Sequence, residues 1–203
     1  MKIICVGRNY ADHVKELNNS FNEEPVIFLK PETAQLQNRM PFFIPDFSKD
    51  VHHEVELVLK INKAGKNIQE EFAHKYFSEI GIGIDFTARD KQTELKQKGL
   101  PWELGKAFDG SAPSGKFVQV SKFSSISNIN FSLLKNGKVV QQGNSSQMIF
   151  SFYKIIAFVS KYITLKKGDL IFTGTPKGVS KVEANDVLEA FIEDEKLLTV
   201  KVK

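Results

Sequence analysis

The clearest alternation of apolar and polar residues lies in His52–Lys60, HHEVELVLK, where Val55, Leu57 and Leu59 recur at every second position. A period of two predicts a β-strand with these side chains on one face. Glu54 and Glu56 then share the other face, with His52 beside them, although strands are depleted in Glu. Short apolar runs predict further strands at KIICVG, VIFLK, EIGIGI and GKFVQV, and INFSLLKNGKVVQQG predicts a hairpin turning at Asn136-Gly137. The tail segments DLIFTGTPKGV, DVLEAFIED and LLTVKVK are also strand-rich. Helices are predicted at NYADHVKEL, NIQEEFAHKYF, ARDKQTELKQKG, which stops at Gly99, and SQMIFSFYKIIAFVSKYI, with Ser145 or Ser146 as its cap. Residues 35–50 carry neither period and read as an irregular excursion. There is no repeat, low-complexity tract or linker, so the pattern predicts one mixed α/β domain over residues 1–203, mostly β with a few peripheral helices.

Composition narrows the function classes. Lys and Arg exceed Asp and Glu only by 28 to 24 and are dispersed, which argues against a nucleic-acid partner. Cys5 is the sole cysteine, so neither an intrachain disulfide nor a thiolate-rich zinc site is available. The segment MKIICVGRNYADH lacks the apolar core of a signal peptide, and no run approaches the roughly 20 apolar residues of a membrane span. The expectation is a cytoplasmic protein without a membrane partner.

The acidic strand has two readings. Glu54 and Glu56 can lie on the solvated face of an edge strand. Alternatively, they meet Asp85, which ends the apolar run IGIGID. Three converging carboxylates would raise one another's pKa, and a divalent cation answers that repulsion. All-oxygen ligation points to Mg²⁺ or Mn²⁺, with His52 and His53 as supports behind the carboxylates. His13 and Glu16 share a helix face, where a carboxylate can orient an imidazole as a base; on spacing alone a plain surface pair is the commoner reading. Arg89 and Gln92 have the same spacing and can point together at a substrate carboxylate, or simply serve the start of their helix. The Thr175 hydroxyl and nearby N–H groups in TGTPKGV can hold a carboxylate, or the segment is only a turn. Arg8 and Lys30 are further sources of positive charge, Lys106 follows the permissive Gly105, and His74 is an ordinary helix-surface residue.

Taken in order, HHEVELVLK, GIGIDFTARDKQ, GLPWELGKAFD and FTGTPKGV, together with CVGRNYADHVKEL and MIFS, resemble the fumarylacetoacetate hydrolase family. The likeness covers essentially the whole chain and is nearest the short acylpyruvate hydrolase and oxaloacetate decarboxylase branch. It implies a β-roll fold, a homodimer, and Mg²⁺ or Mn²⁺ on Glu54, Glu56 and Asp85. It also implies that His13 and Glu16 form a catalytic dyad and that Lys106 sits near a developing enolate. Arg8, Lys30, Arg89, Gln92 and Thr175 would serve the substrate. The implied substrates are small 2-oxo acids of the β-dicarbonyl type. The leading expectation is carbon–carbon cleavage of acylpyruvates or oxaloacetate; the alternative is oxaloacetate keto–enol tautomerisation or isomerisation of a 2-hydroxyhepta-2,4-diene-1,7-dioate. Gln147 departs from relatives that often carry Asp or Ser there, and the Asn18-Asn19-Ser20 break suits a mobile lid.

Overall fold

A computed structural model describes residues 1–16, 23–37 and 40–203. The Asn18–Ser20 break lies outside the described residues. The chain opens with β1 (Ile3–Gly7), helix α1 (Ala11–Glu16) and β2 (Val26–Lys30). The irregular excursion follows, and then β3 (Val51–His53), β4 (Val55–Ile61) and β5 (Phe77–Ile84). Next come β6 (Thr87–Ala88), α2 (Arg89–Gln97), α3 (Glu103–Lys106) and β7 (Ser114–Gln119). The hairpin β8 (Asn130–Lys135) and β9 (Lys138–Asn144) leads to α4 (Phe152–Tyr162), and β10 (Leu170–Phe172), β11 (Ser180–Lys181), β12 (Val187–Ile192) and β13 (Glu195–Lys201) complete the fold.

The mostly β architecture is as expected. A six-stranded sheet runs β2-β1-β10-β4-β5-β7, a four-stranded sheet β13-β12-β8-β9, and a small sheet β11-β3-β6. Only β1 and β10 pair in parallel within the largest sheet; its other pairs are antiparallel. Asn136 and Gly137 both have positive φ, 54° and 77°, as a two-residue hairpin turn requires. Among the described residues, no helix is long and apolar enough to cross a membrane.

Strand parity in the six-stranded sheet sets where chemistry can occur. Ile4, Val6, Val55, Leu57, Leu59, Ile80, Ile82 and Ile84 face one large apolar core. The alternate residues Ile3, Cys5, Phe28, Val58 and Phe172 belong to a smaller core on the other face. Glu56 and Asp85 have the parity of this second face. Gly83 pairs with Glu56 across the sheet, and a Cβ there would lie 2.6 Å from the Phe172 ring. The glycines of GIGID therefore leave room beside the acidic residues for aromatic packing.

Several local expectations change. HHEVELVLK is not one strand: Glu54 separates β3, in the small sheet, from β4, at the centre of the large one. Glu56 is therefore buried rather than on a solvated edge, because core covers both faces of β4. Helix α4 starts later than predicted. Ser151 Oγ caps it by accepting the Lys154 N–H at 3.1 Å, whereas Ser145 and Ser146 lie in a separate 3₁₀ turn capped by Asn144. The segment NIQEEFAHKYF winds as a 3₁₀ helix over Glu70–Tyr76 instead of an α-helix.

Candidate functional site

Glu54 occupies the gap where the chain crosses between sheets, Glu56 the second position of β4, and Asp85 the position after β5. The Asp85 N–H donates to the Glu54 carbonyl at 2.8 Å, which ties the two acidic positions together through backbone. One oxygen from each of the three carboxylates lies within 4.8 Å of the others, and all three residues are buried.

Buried lysines organise this cluster. Lys106 Nζ donates to Glu54 Oε2 at 2.8 Å, Asp85 Oδ2 at 2.7 Å and Thr87 Oγ1 at 2.6 Å. Burial alone would depress its pKa, but Asp85 and Glu54 outweigh burial and raise it. Arg89 pairs with the other Glu54 oxygen and donates to Gln92 Oε1 at 2.7 Å, so the i, i+3 residues are joined by a hydrogen bond. For Glu54, burial pushes the carboxyl up, but Lys106 and Arg89 overcome it and hold its pKa well below the usual range.

Glu56 differs. Its only polar partner among the described residues is the Gly174 N–H, at 2.6 Å. Burial and the charge of Asp85 raise its pKa well above the ordinary value. Asp85 is held by both buried lysines: Oδ2 accepts from Lys106, and Oδ1 forms an ion pair with Lys30 Nζ at 2.7 Å, though without a well-directed hydrogen bond among the described residues. Glu56 thus presents an uncommitted oxygen beside Glu54 and Asp85. A buried set of three carboxylates, without thiolate or imidazole, fits a hard divalent cation such as Mg²⁺ or Mn²⁺.

The three acids line a cleft of about 420 Å³, part of it open to solvent. His13, Lys106, Arg89 and Gln92 line the same cleft, as do Arg8 and Thr175. His13 is buried, and its Nδ1 lies 3.1 Å from Glu16 Oε2. An ionised carboxylate only accepts, so Nδ1 carries the hydrogen, and Nε2, which has no hydrogen-bond partner among the described residues, is the nitrogen left to act as a base. The other Glu16 oxygen accepts the Gly178 N–H at 3.0 Å, which docks α1 against the TGTPKGV turn. Thr175 Oγ1 accepts from Gln141 Nε2 at 2.9 Å, leaving its own hydrogen to donate.

Three expected residues are placed differently. Lys30 does not line the cleft. It lies fully buried behind Asp85, with hydrogen bonds to Ser111 Oγ at 2.9 Å and to the Ser111 and Phe86 carbonyls at 3.0 and 3.3 Å, so it braces the acid rather than facing a substrate. His52 bonds Asp50 at 2.9 Å, and His53 bonds Gln141 and Ser180 at 2.9 and 2.8 Å; neither touches the acidic cluster. Burial lowers the His53 pKa to about 4, so this imidazole is a neutral strut linked through Gln141 to Thr175. His74 is exposed, as expected. Gln147 accepts the Asn144 N–H in a capping box away from the cleft.

Sequence reasoning missed Lys96, Trp102 and Gln141. Lys96 is one lysine among several in ELKQKG, and nothing in its spacing marks it. Trp102 carried a signal, since it is the only tryptophan of the chain and lies within GLPWELGKAFD.

The family described as fumarylacetoacetate (FAA) hydrolase C-terminal matches residues 2–203. The chain is 47% identical over 201 residues to the oxaloacetate tautomerase, mitochondrial, of Mus musculus, covering 99% of this chain and 91% of that protein. It is 42% identical over 192 residues to the oxaloacetate decarboxylase, mitochondrial, of Dictyostelium discoideum, covering 94% and 88%. A crystal structure of fumarylpyruvate hydrolase from Pseudomonas aeruginosa in complex with Mn²⁺ and pyruvate superposes with a TM-score of 0.93 at 35% identity, covering 100% of this chain and 89% of that one.

Proposed function

The chain belongs to the fumarylacetoacetate hydrolase family, and from that premise we propose that it is an enzyme interconverting the enol and keto forms of oxaloacetate. The observation that carries this reading is the free His13 Nε2 in a cleft that also holds Lys106 and three buried carboxylates. The reaction needs one proton moved from the enol oxygen to the neighbouring carbon. Nε2 takes the first proton while Glu16 stabilises the resulting imidazolium, and Nε2 then returns a proton to carbon. The base is regenerated and no water is consumed. Lys106, whose three hydrogens go to Glu54, Asp85 and Thr87, would contribute its positive charge near the oxygen that becomes negative, and the Arg89–Gln92 pair would orient a substrate carboxylate. Glu54, Glu56 and Asp85 would hold Mg²⁺ or Mn²⁺, which when bound supplies a Lewis acid for the substrate's carboxylate and keto oxygens.

This ordering prefers the alternative over the leading expectation from sequence, because the relative at 47% identity is named a tautomerase. Carbon–carbon cleavage is the second reading, favoured by the relatives named oxaloacetate decarboxylase and fumarylpyruvate hydrolase. In a hydrolysis the same His13 would activate water. The test follows enol absorbance and pyruvate together, in Mg²⁺ and then in chelator. Loss of enol absorbance ahead of any pyruvate, reduced on the order of 10²- to 10⁴-fold in His13→Ala, is the expected result. Pyruvate formed in step with enol loss, or release of pyruvate from acetylpyruvate, would favour cleavage. Wild-type enol loss in His13→Ala would remove the proposed base.

A further inference from the structure

The cleft contains a second group of charges that neither the acids nor the dyad uses. Arg8 and Lys96 both line it, and both lie over Trp102, with the Arg8 guanidinium carbon 5.9 Å and Lys96 Nζ 5.1 Å from the ring centroid. Neither forms an ion pair with any described residue, and the residues outside the description include no Asp or Glu. Arg8 Nε is buried without a hydrogen-bond partner among the described residues.

This arrangement is built rather than incidental. Arg8 holds a left-handed backbone, φ 59°, which a non-glycine residue rarely adopts. The next residue fixes it: Asn9 Nδ2 donates to the Thr173 and Phe150 carbonyls at 2.7 and 3.1 Å, and Asn9 Oδ1 accepts the Phe150 N–H at 2.7 Å. Trp102 packs against Phe28 in the smaller core. Lys96 is crowded by like charge: burial, then Arg89, Arg8 and Lys106, lower its pKa to about 8. An arriving anion would relieve that repulsion.

We propose that Arg8 and Lys96, on the face of Trp102, form a subsite for a second carboxylate, so that the cleft selects dicarboxylic 2-oxo or 2-hydroxy acids over their monocarboxylic counterparts. The proposal deepens the functional reading above and rests on it for the orientation of the substrate head. The head, a carboxylate with its neighbouring oxygen, addresses the acidic cluster, while the tail carboxylate meets these two cations through charge-assisted hydrogen bonds.

Malate and lactate test this directly. They share a 2-hydroxy carboxylate head and differ only in the second carboxylate, and neither turns over in the proposed reaction. Calorimetry on the Mg²⁺-loaded protein gives affinities, and Trp102, as the sole tryptophan, reports occupancy of the subsite by its fluorescence. Malate should bind at least about tenfold tighter than lactate, as expected for charge-assisted bonds. Lys96→Met and Arg8→Met should each bring the ratio below about threefold with lactate affinity unchanged, and Arg8→Lys should restore only part of it, by charge without the planar fork. Malate binding should also change Trp102 emission. An unaltered malate-to-lactate ratio in both Met variants, an equal weakening of both ligands, or malate binding without any change in emission would overturn the subsite. If the ratio responds as expected while oxaloacetate is not turned over, the subsite stands and the functional reading falls.

Discussion

The two faces of the six-stranded sheet are made by the same strands and do opposite work. One face carries Val55, Leu57, Leu59, Ile80, Ile82 and Ile84 and is dry and apolar. The other carries Glu56, Gly81, Gly83 and Asp85 beside Val58, so small and acidic residues replace most of the branched ones. Backbone pairing holds both sets equally firmly. The apolar face therefore anchors the carboxylates of its neighbour at fixed spacing, and the other face gains chemistry by burying charged groups where apolar ones would cost less.

Substitutions can break that contrast on either side. The largest expected effect is on stability from the apolar face. Leu57→Ala empties a fully buried position and should lower unfolding free energy by about 2–5 kcal/mol, measured by urea denaturation. A loss under about 1 kcal/mol would mean that this face does not anchor the sheet. Glu56→Gln, one residue away and on the other face, should leave folding intact or make the protein more stable, since burial and Asp85 disfavour the carboxylate and the Gly174 N–H is its only hydrogen-bond partner among the described residues. It should instead weaken Mg²⁺ binding on the order of 100-fold, or about 2.7 kcal/mol, by calorimetry. Unchanged Mg²⁺ affinity would remove Glu56 from the ligand set.

The smallest effect lies at the starts of β1 and β10 and depends on pH. Asp169 is a buried carboxylate that accepts the Lys2 and Lys166 N–H groups at 2.8 Å each and pairs with Lys2 Nζ at 2.5 Å. Burial opposes its ionisation, but these partners prevail and lower its pKa. Because the folded value lies below the unfolded one, this stabilisation is present above the ordinary carboxylate pKa, about 3.9, and is lost as pH falls through the folded value. Asp169→Asn should cost about 1 kcal/mol at pH 7, allowing for the partial exposure of Lys2, and the difference should shrink towards pH 3. An undiminished gap at pH 3 would contradict the assignment.

Much of this was legible in the sequence because strand parity is a local signal. The alternation in HHEVELVLK and GIGID put Glu56 and Asp85 opposite the branched residues, and Asn136-Gly137 fixed its hairpin turn. The break at Glu54 was not legible, since a chain leaving one sheet for another keeps the same alternation on both sides. Lys30 read as a substrate residue because its charge is visible in sequence, whereas its place behind Asp85 depends on Phe86 and Ser111, distant in the chain. The cap of α4 was misread because three serines lie in seven residues, and only packing chooses Ser151. Lys96 was invisible for the same reason: its importance comes from Arg8 and Trp102, which the fold brings to it.

The parallel pairing of β1 with β10 joins Ile3 to Leu170. During synthesis β1 is made long before its neighbour on that side, because residues 8–169 lie between them. The central sheet consequently closes only after residue 170 has left the ribosome, and such long-range closure is slow. Until then β1 offers an unpaired apolar edge, a hazard for association with other nascent chains. A truncated product ending before β10 would therefore lack the strand between β1 and β4, and with it the scaffold that keeps the acidic residues in register.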